Sequence, residues 1–195
     1  MEDFQKLFDS FTKLKVGVIG DVMLDTYIWG KVERISPEAP VPVVSLDKKE
    51  YRIGGAGNVA LNCHSLGSQI FILSVIGDDT DGLLLEELFN ENMIDTSYLV
   101  KNSSRITTNK TRIIGRNQQM MRLDAEITSD LDRKNEDTLL QKIRLFIQTN
   151  DPDVIIFEDY NKGVLTERII REVITLCKEA GVITAVDPKR RNFFS

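Results

Sequence analysis

The sequence predicts an α/β fold: a doubly wound, mainly parallel sheet flanked by helices, with a small β-sheet lid. Three observations carry this. Short apolar runs recur as "KVGVIG" (15–20), "QIFILSVIG" (69–77), "DVIIFED" (153–159) and "VITAVDP" (182–188), the form of strands buried on both faces. Helical periodicity fills the intervals, over about 56–66, 80–92, 132–149 and 166–180. Two segments break the alternation, 22–52 and 98–126.

In chain order, Phe4, Leu7, Phe8 and Phe11 fall at i, i+3, i+4 and i+7 and predict an opening helix with one apolar face. The strand 15–20 ends in Gly20, at the place where parallel strands open onto a site. The charged, proline-bearing segment 22–52 is expected to form a sheet-like lid outside the main layer. Within 98–126, "NKTRIIGRNQQMMRLDAE" alternates as antiparallel strands do, which predicts a hairpin at the sheet edge over about 105–126. No repeat, low-complexity tract or linker interrupts the chain, so one domain is expected over 1–195.

Composition excludes several classes. With 195 residues, 42% hydrophobic and 28% charged, the chain can bury a core without disulfide or metal. Cys63 and Cys177 lack CxxC spacing and read as reduced, packed thiols of a cytoplasmic protein. No apolar run approaches the roughly 18 residues of a membrane span, and charge interrupts the N-terminal apolar residues too often for a signal peptide. A net charge of −5 argues against nucleic acid, whose binding draws on phosphate neutralisation, and for a small-molecule partner.

The predicted strands end in acids: Asp21 and Asp25, then Asp78 and Asp79, then Glu158 and Asp159, and finally Asp187 with Pro188 and Lys189. Beyond the carboxyl ends of an open α/β sheet lies the ligand crevice, where carboxylates can accept sugar hydroxyls. Asp78 and Asp79 precede the helix "LLLEELFNEN" and read as turn and N-cap residues instead. An EF-hand is excluded, because aligning Gly82 with the loop's glycine puts Gly77 and Leu88 where carboxylates are required. In "GGAGNVA", Gly55, Gly57 and Ala60 satisfy the dinucleotide fingerprint, with Asp78 at a fitting distance. That fingerprint must follow a buried strand, whereas "DKKEYRI" is heavily charged. A P-loop fails because no GK[ST] follows the glycines. What remains is a glycine pair that backbone or ligand can approach closely, opening a helix with Asn58 in its first turn. His64, the one histidine, reads as a packing or surface residue.

"GGAGNVALNCHSLGSQIFILSVIG" resembles the first signature of the PfkB, or ribokinase-like, carbohydrate kinases. More narrowly, "GDVMLDTYIWG", "RISPEAPVPVV", "RNQQMMRLD", "EDYNKGVL" and "VDPK" are similar to kinase domains that phosphorylate D-glycero-β-D-manno-heptose 7-phosphate at O1 for lipopolysaccharide synthesis. The resemblance implies a ribokinase-like fold, ATP and Mg²⁺ as cofactors, and a sugar phosphate as substrate. Carried over by residue, it implies that Asp25 binds sugar hydroxyls, with Gly54, Gly55 and Asn58 completing the clamp and Asp21 either joining them or acting structurally. Lys189 would meet the sugar phosphate or the transferring phosphate. Glu158 and Asp159 fall in the matching "EDYNKGVL", while Arg116, Asn117, Gln118 and Arg122 would approach the substrate or brace the hairpin, Arg122 equally suiting a surface ion pair. The lid implies a homodimer, burying Trp29, Ile35, Val41, Val43 and Val44.

The departure lies at the C-terminus. These kinases carry a GAGD segment whose helix start holds the anion and whose aspartate is the base, and none occurs before Ser195. The expectation is therefore no catalytic residue in these 195 residues, which would be either the N-terminal part of a longer kinase domain or a sugar-binding remnant.

Overall fold

The computed structural model describes residues 2–116 and 118–189, with side chains from residue 4 onward. In chain order the elements are α1 (Glu2–Phe11), β1 (Lys15–Gly20), β2 (Val22–Ile35), β3 (Pro42–Gly55), α2 (Ala56–Ser65), β4 (Gln69–Leu73), β5 (Val75–Gly77), α3 (Thr80–Glu91), β6 (Val100–Asn102), β7 (Asn109–Gly115), β8 (Gln118–Ala125), α4 (Arg133–Asn150), β9 (Val154–Glu158), α5 (Glu167–Ala180) and β10 (Ile183–Asp187). Strands β10-β9-β1-β4 form an all-parallel sheet. Alternation along it fills two cores. Ile19, Phe71, Ile155 and Phe157 pack with Leu139, Ile143 and Phe146 of α4 and Ile169 and Val173 of α5. Val16, Val18, Ile70 and Ile72 pack with Ala56 and Ala60 of α2 and Leu85 and Phe89 of α3. The helices start where side chains take up free amides: Asp79 accepts from Gly82, Asp132 from Asn135 and Thr166 from Ile169.

Chain order reverses between β1 and β9, since β1 passes through α2 to β4 on one side while β9 lies on the other. That reversal makes the mouth of the crevice. The backbones meet closely there, with the Asp21 N–H donating to the Glu158 carbonyl at 3.2 Å.

Two expectations are corrected. "QIFILSVIG" is two strands, because buried Ser74 turns its hydroxyl to the Gly20 carbonyl at 2.6 Å and breaks the run. β5 then leaves the main sheet and pairs with β6. The hairpin β7–β8 joins the lid, where β7 runs parallel to β2 and gives a four-stranded sheet of order β3-β2-β7-β8. The apolar face of α1 is open, with Phe4 68%, Leu7 50% and Phe8 49% exposed.

Candidate active site

All four lid strands join the body at one end, where Val22 opposes Gly55 and Leu24 opposes Asn109, itself opposite Ala125. On β2 the residues Asp25 and Tyr27 share a face. Asp25 lies opposite Arg52 on β3 and Lys110 on β7, and Tyr27 lies opposite Glu50 and Arg112. Asp25 accepts from Arg112 Nη1 through Oδ1 at 2.7 Å. Its Oδ2 faces Gly54, where an added Cβ would come within 2.7 Å of that oxygen, so only glycine leaves this approach open. Gly55, at φ +60°, caps α2 in a conformation that favours glycine, and Asn58 follows, exposed in the first helical turn.

Across the crevice lies the loop after β9. Asp21 is buried at 1% exposure and is structural: its carboxylate accepts the N–H groups of Tyr160 (2.9 Å), Lys162 (3.1 Å) and Val164 (3.1 Å). Burial pushes its carboxyl up and the nearby Asp159 adds to this, against the three amides, which favour the anion. Asp159 accepts the N–H of Asn161 at 2.8 Å and that of Lys189 at 3.2 Å, tying the end of β10 to the loop. Glu158 is buried beside Asp187 of β10; burial first and Asp187 second raise its carboxyl, and Lys189 opposes them. The Lys189 ammonium stands 5.0 Å over the Tyr160 ring. Burial, then Glu158, Asp187 and Asp25, push the Tyr160 phenol up, so this loop and the lid carboxylate share one electrostatic neighbourhood.

The structure thus sets Asp25 against Gly54 on the lid, and Glu158, Asp159 and Lys189 together beyond the ends of β9 and β10. It does not bring Arg116 and Gln118 to them. Gly115 pairs with Gly30, five residues along β2 from Asp25, or about 17 Å at strand rise. Arg116, at φ +50°, donates to the Val32 carbonyl at 3.1 Å and braces the lid tip. Gln118 is exposed there. Asn117 lies outside the described residues. Arg122 pairs with Asp124 at 2.9 Å on the lid and is 51% exposed. Asp79 is the N-cap of α3, as the turn reading expected, and also accepts from Thr107 N–H at 2.7 Å.

Sequence reasoning missed Arg112 and Arg105. The alternation of "NKTRI" places Lys110 and Arg112 on one strand face, but only the register with β2 shows that this face holds Asp25. Arg105 donates to the carbonyls of Ile127, Ser129 and Lys162, clamping the segment before β7 to the loop after β9. No spacing in the sequence signals that.

The pfkB family carbohydrate kinase model matches residues 13–194. The chain belongs to this family. Its curated relatives include the bifunctional protein HldE of Geobacter sulfurreducens, 40% identical over 192 residues, covering 98% of this chain and 39% of the relative. HldE of Syntrophotalea carbinolica is 43% identical over 182 residues, covering 92% and 36%. The chain therefore spans well under half the length of the curated relatives it matches. Similar solved structures include the Arabidopsis thaliana ribokinase complexed with ribose and ATP (TM-score 0.62, 15% identity, covering 90% of this chain and 53% of that one). Another is Escherichia coli phosphofructokinase-2 in its tetrameric inhibited form (TM-score 0.65, 13% identity, covering 89% and 54%). The fold is ribokinase-like, α/β with a mainly parallel main sheet. Among the described residues, no helix is long and apolar enough to cross a membrane.

Proposed function

We propose that residues 1–195 are the N-terminal part of a ribokinase-like domain that binds D-glycero-β-D-manno-heptose 7-phosphate for transfer of the ATP γ-phosphoryl group to O1. The observation that carries the sugar site is Asp25 Oδ2, held against Gly54 at the crevice mouth while Oδ1 is fixed by Arg112. An anchored carboxylate with one open oxygen accepts vicinal hydroxyls without first reorganising. Asn58, exposed in the first turn of α2, offers an amide that donates and accepts. Similarity to HldE proteins supports the choice of a heptose phosphate.

On the opposite wall Glu158 and Asp159 shape the floor, and Lys189 supplies a point charge for an anionic group. Arg116 braces the lid tip through the Val32 carbonyl. ATP and Mg²⁺ supply the phosphoryl group and charge compensation in this family reading. Among the described residues no group of three or more His, Cys, Asp or Glu side chains is placed to hold a metal ion. The base and anion hole are proposed to lie in a GAGD segment past Ser195. The lid, with Ile35 59% and Val41 51% exposed, is proposed to bury these residues with Trp29, Val43 and Val44 in a homodimer, in the cytoplasm.

Two alternatives are a sugar-binding chain without transfer and another PfkB-type sugar kinase. The dinucleotide reading is set aside, because β3 ahead of the glycines is an antiparallel lid strand with Lys48, Lys49 and Arg52 exposed. The test is ADP release with heptose 7-phosphate, ATP and Mg²⁺, on the 195-residue chain and on one extended through the expected GAGD. Turnover is expected only in the longer chain, lower in the shorter by at least the ~10²–10⁴-fold of a lost general base. Equal turnover places the catalytic groups within these residues, and none in either leaves the binding-only alternative.

A further inference from the structure

We infer that Glu126 is a positioning residue, a latch across the fold line of the lid that sets how far Asp25 stands from the loop holding Lys189. It rests on the sugar site proposed above and adds what keeps the two parts of that site at a working distance.

Glu126 is the first residue past the lid. Ala125 still pairs with Asn109 in the lid ladder. The residues after Glu126 are fixed outside it: Arg105 donates to the carbonyls of Ile127 and Ser129, both at 3.1 Å, and the Leu131 N–H donates to the Gly163 carbonyl at 3.0 Å. The side chain of Glu126 spans the same boundary. Oε2 accepts from Lys110 Nζ of β7 at 3.0 Å, and Oε1 accepts from Lys162 Nζ of the loop after β9 at 2.8 Å.

Each lysine passes the restraint to one part of the site. Lys110 stands directly opposite Asp25 in register, and its carbonyl accepts from Arg112, which also holds Asp25. Lys162 donates its own N–H to buried Asp21, in the loop where Asp159 accepts the Lys189 N–H at 3.2 Å. One carboxylate therefore joins the two through fixed neighbours. The side chains of Lys110, Lys162 and Glu126 are 15%, 16% and 22% exposed, so salt screens them less than a surface pair. Lys162 chiefly, against burial and with Lys110 adding, holds the Glu126 carboxyl below its ordinary value. Lys110 has a second carboxylate in Asp124 at 2.9 Å, whereas among the described residues Lys162 pairs with Glu126 alone. Loss of Glu126 thus releases the loop side of the latch and leaves the lid ladder intact. A further joint, Asn109 to Asp81 of α3 at 2.7 Å, remains, so the lid root would pivot rather than detach.

The test uses the full-length protein, its Glu126→Gln, Glu126→Asp and Lys162→Met variants and the Glu126→Gln/Lys162→Met double, in steady-state kinetics with heptose 7-phosphate, ATP and Mg²⁺. Because misplaced reacting groups lower turnover more than affinity, Glu126→Gln and Lys162→Met are each expected to lower kcat about 10-fold and to change KM for the sugar about threefold at most. The double is expected to be no slower than the slower single variant, as for two ends of one contact. Glu126→Asp, which keeps the charge, is expected to recover part of the loss. Losses that multiply in the double, a rise in KM at unchanged kcat, or no change in either single variant overturn the latch. Hydrogen exchange read by mass spectrometry needs neither turnover nor sugar. Exchange in β7 and in the loop 159–164 is expected to quicken about 10-fold in both single variants, with β1 and β4 unchanged. If the unaltered protein turns over no sugar phosphate, the proposed function fails and exchange alone decides. Quickening confined to these two segments then upholds the latch, and none, or quickening throughout the chain, overturns it.

Discussion

Asp21 and Asp25 are four residues apart and chemically alike, yet the structure gives them different work. Three amides close around Asp21, whereas Asp25 is bonded to Arg112 through Oδ1 and turns Oδ2 toward Gly54. Asp25→Ala or Asn58→Ala in a catalytically complete chain is expected to weaken sugar binding by about 1.5–3 kcal/mol, measured by calorimetry, as for hydrogen bonds with a charged partner. Glu158 predicts a pH effect. Its folded value is raised above the ordinary 4.5, so the stability it contributes is complete below 4.5 and is lost as pH rises through the higher folded value. Glu158→Gln is therefore expected to raise Tm at about pH 7.5, with the gain closing as the pH falls below the ordinary carboxyl range, in thermal melts followed by circular dichroism. The strand-end acids and the glycine pair were legible in the sequence because each sits next to a strong local signal. Arg112 was not, since its role exists only through pairing with a strand more than eighty residues away, and such register is invisible to periodicity.

Among the described residues, the five helices and the four strands of the main sheet were readable because each carries its own signal: apolar runs for β1, β4, β9 and β10, and caps or periodicity for the helices. The break at Ser74 was hidden because one polar residue in an apolar run looks like tolerated noise, while its hydroxyl meets a carbonyl of β1, distant in sequence. The lid's parallel pairing of β2 with β7 was hidden for a related reason: alternation says that a segment is a strand, never which sheet takes it. Asp79 links two elements, capping α3 and holding Thr107 at the entrance to β7. Asp79→Ala is expected to cost about 1–3 kcal/mol in urea unfolding, more than the ~1 kcal/mol of a simple cap, because a second buried amide loses its partner. A cost of half a kilocalorie or less would show that Thr107 finds another acceptor.

For the whole molecule, β10 is the edge of the main sheet, and every one of its residues is exposed, Ile183 at 68% and Val186 at 64%. A parallel strand rich in β-branched residues and bare on both faces invites pairing. The 195-residue chain alone is expected to self-associate at micromolar concentration in light scattering, and Val186→Lys to reduce this without lowering Tm. Unchanged association in that variant would move the sticky surface elsewhere, with the open face of α1 next in line.

The lid is a flap attached along one edge, its longest strands running 14 residues, about 46 Å, from the body. The chain's one tryptophan, Trp29, sits midway along it, half-buried and with its indole nitrogen lacking a partner among the described residues. Its emission is therefore an optical reporter of the flap alone. The colour of that emission follows how wet the indole is. A ligand that draws the flap down should shift it to the blue, with no label attached. In denaturant the same signal isolates detachment of the flap from collapse of the helices, which circular dichroism follows, and a gap between the two curves would measure how independently the flap comes loose.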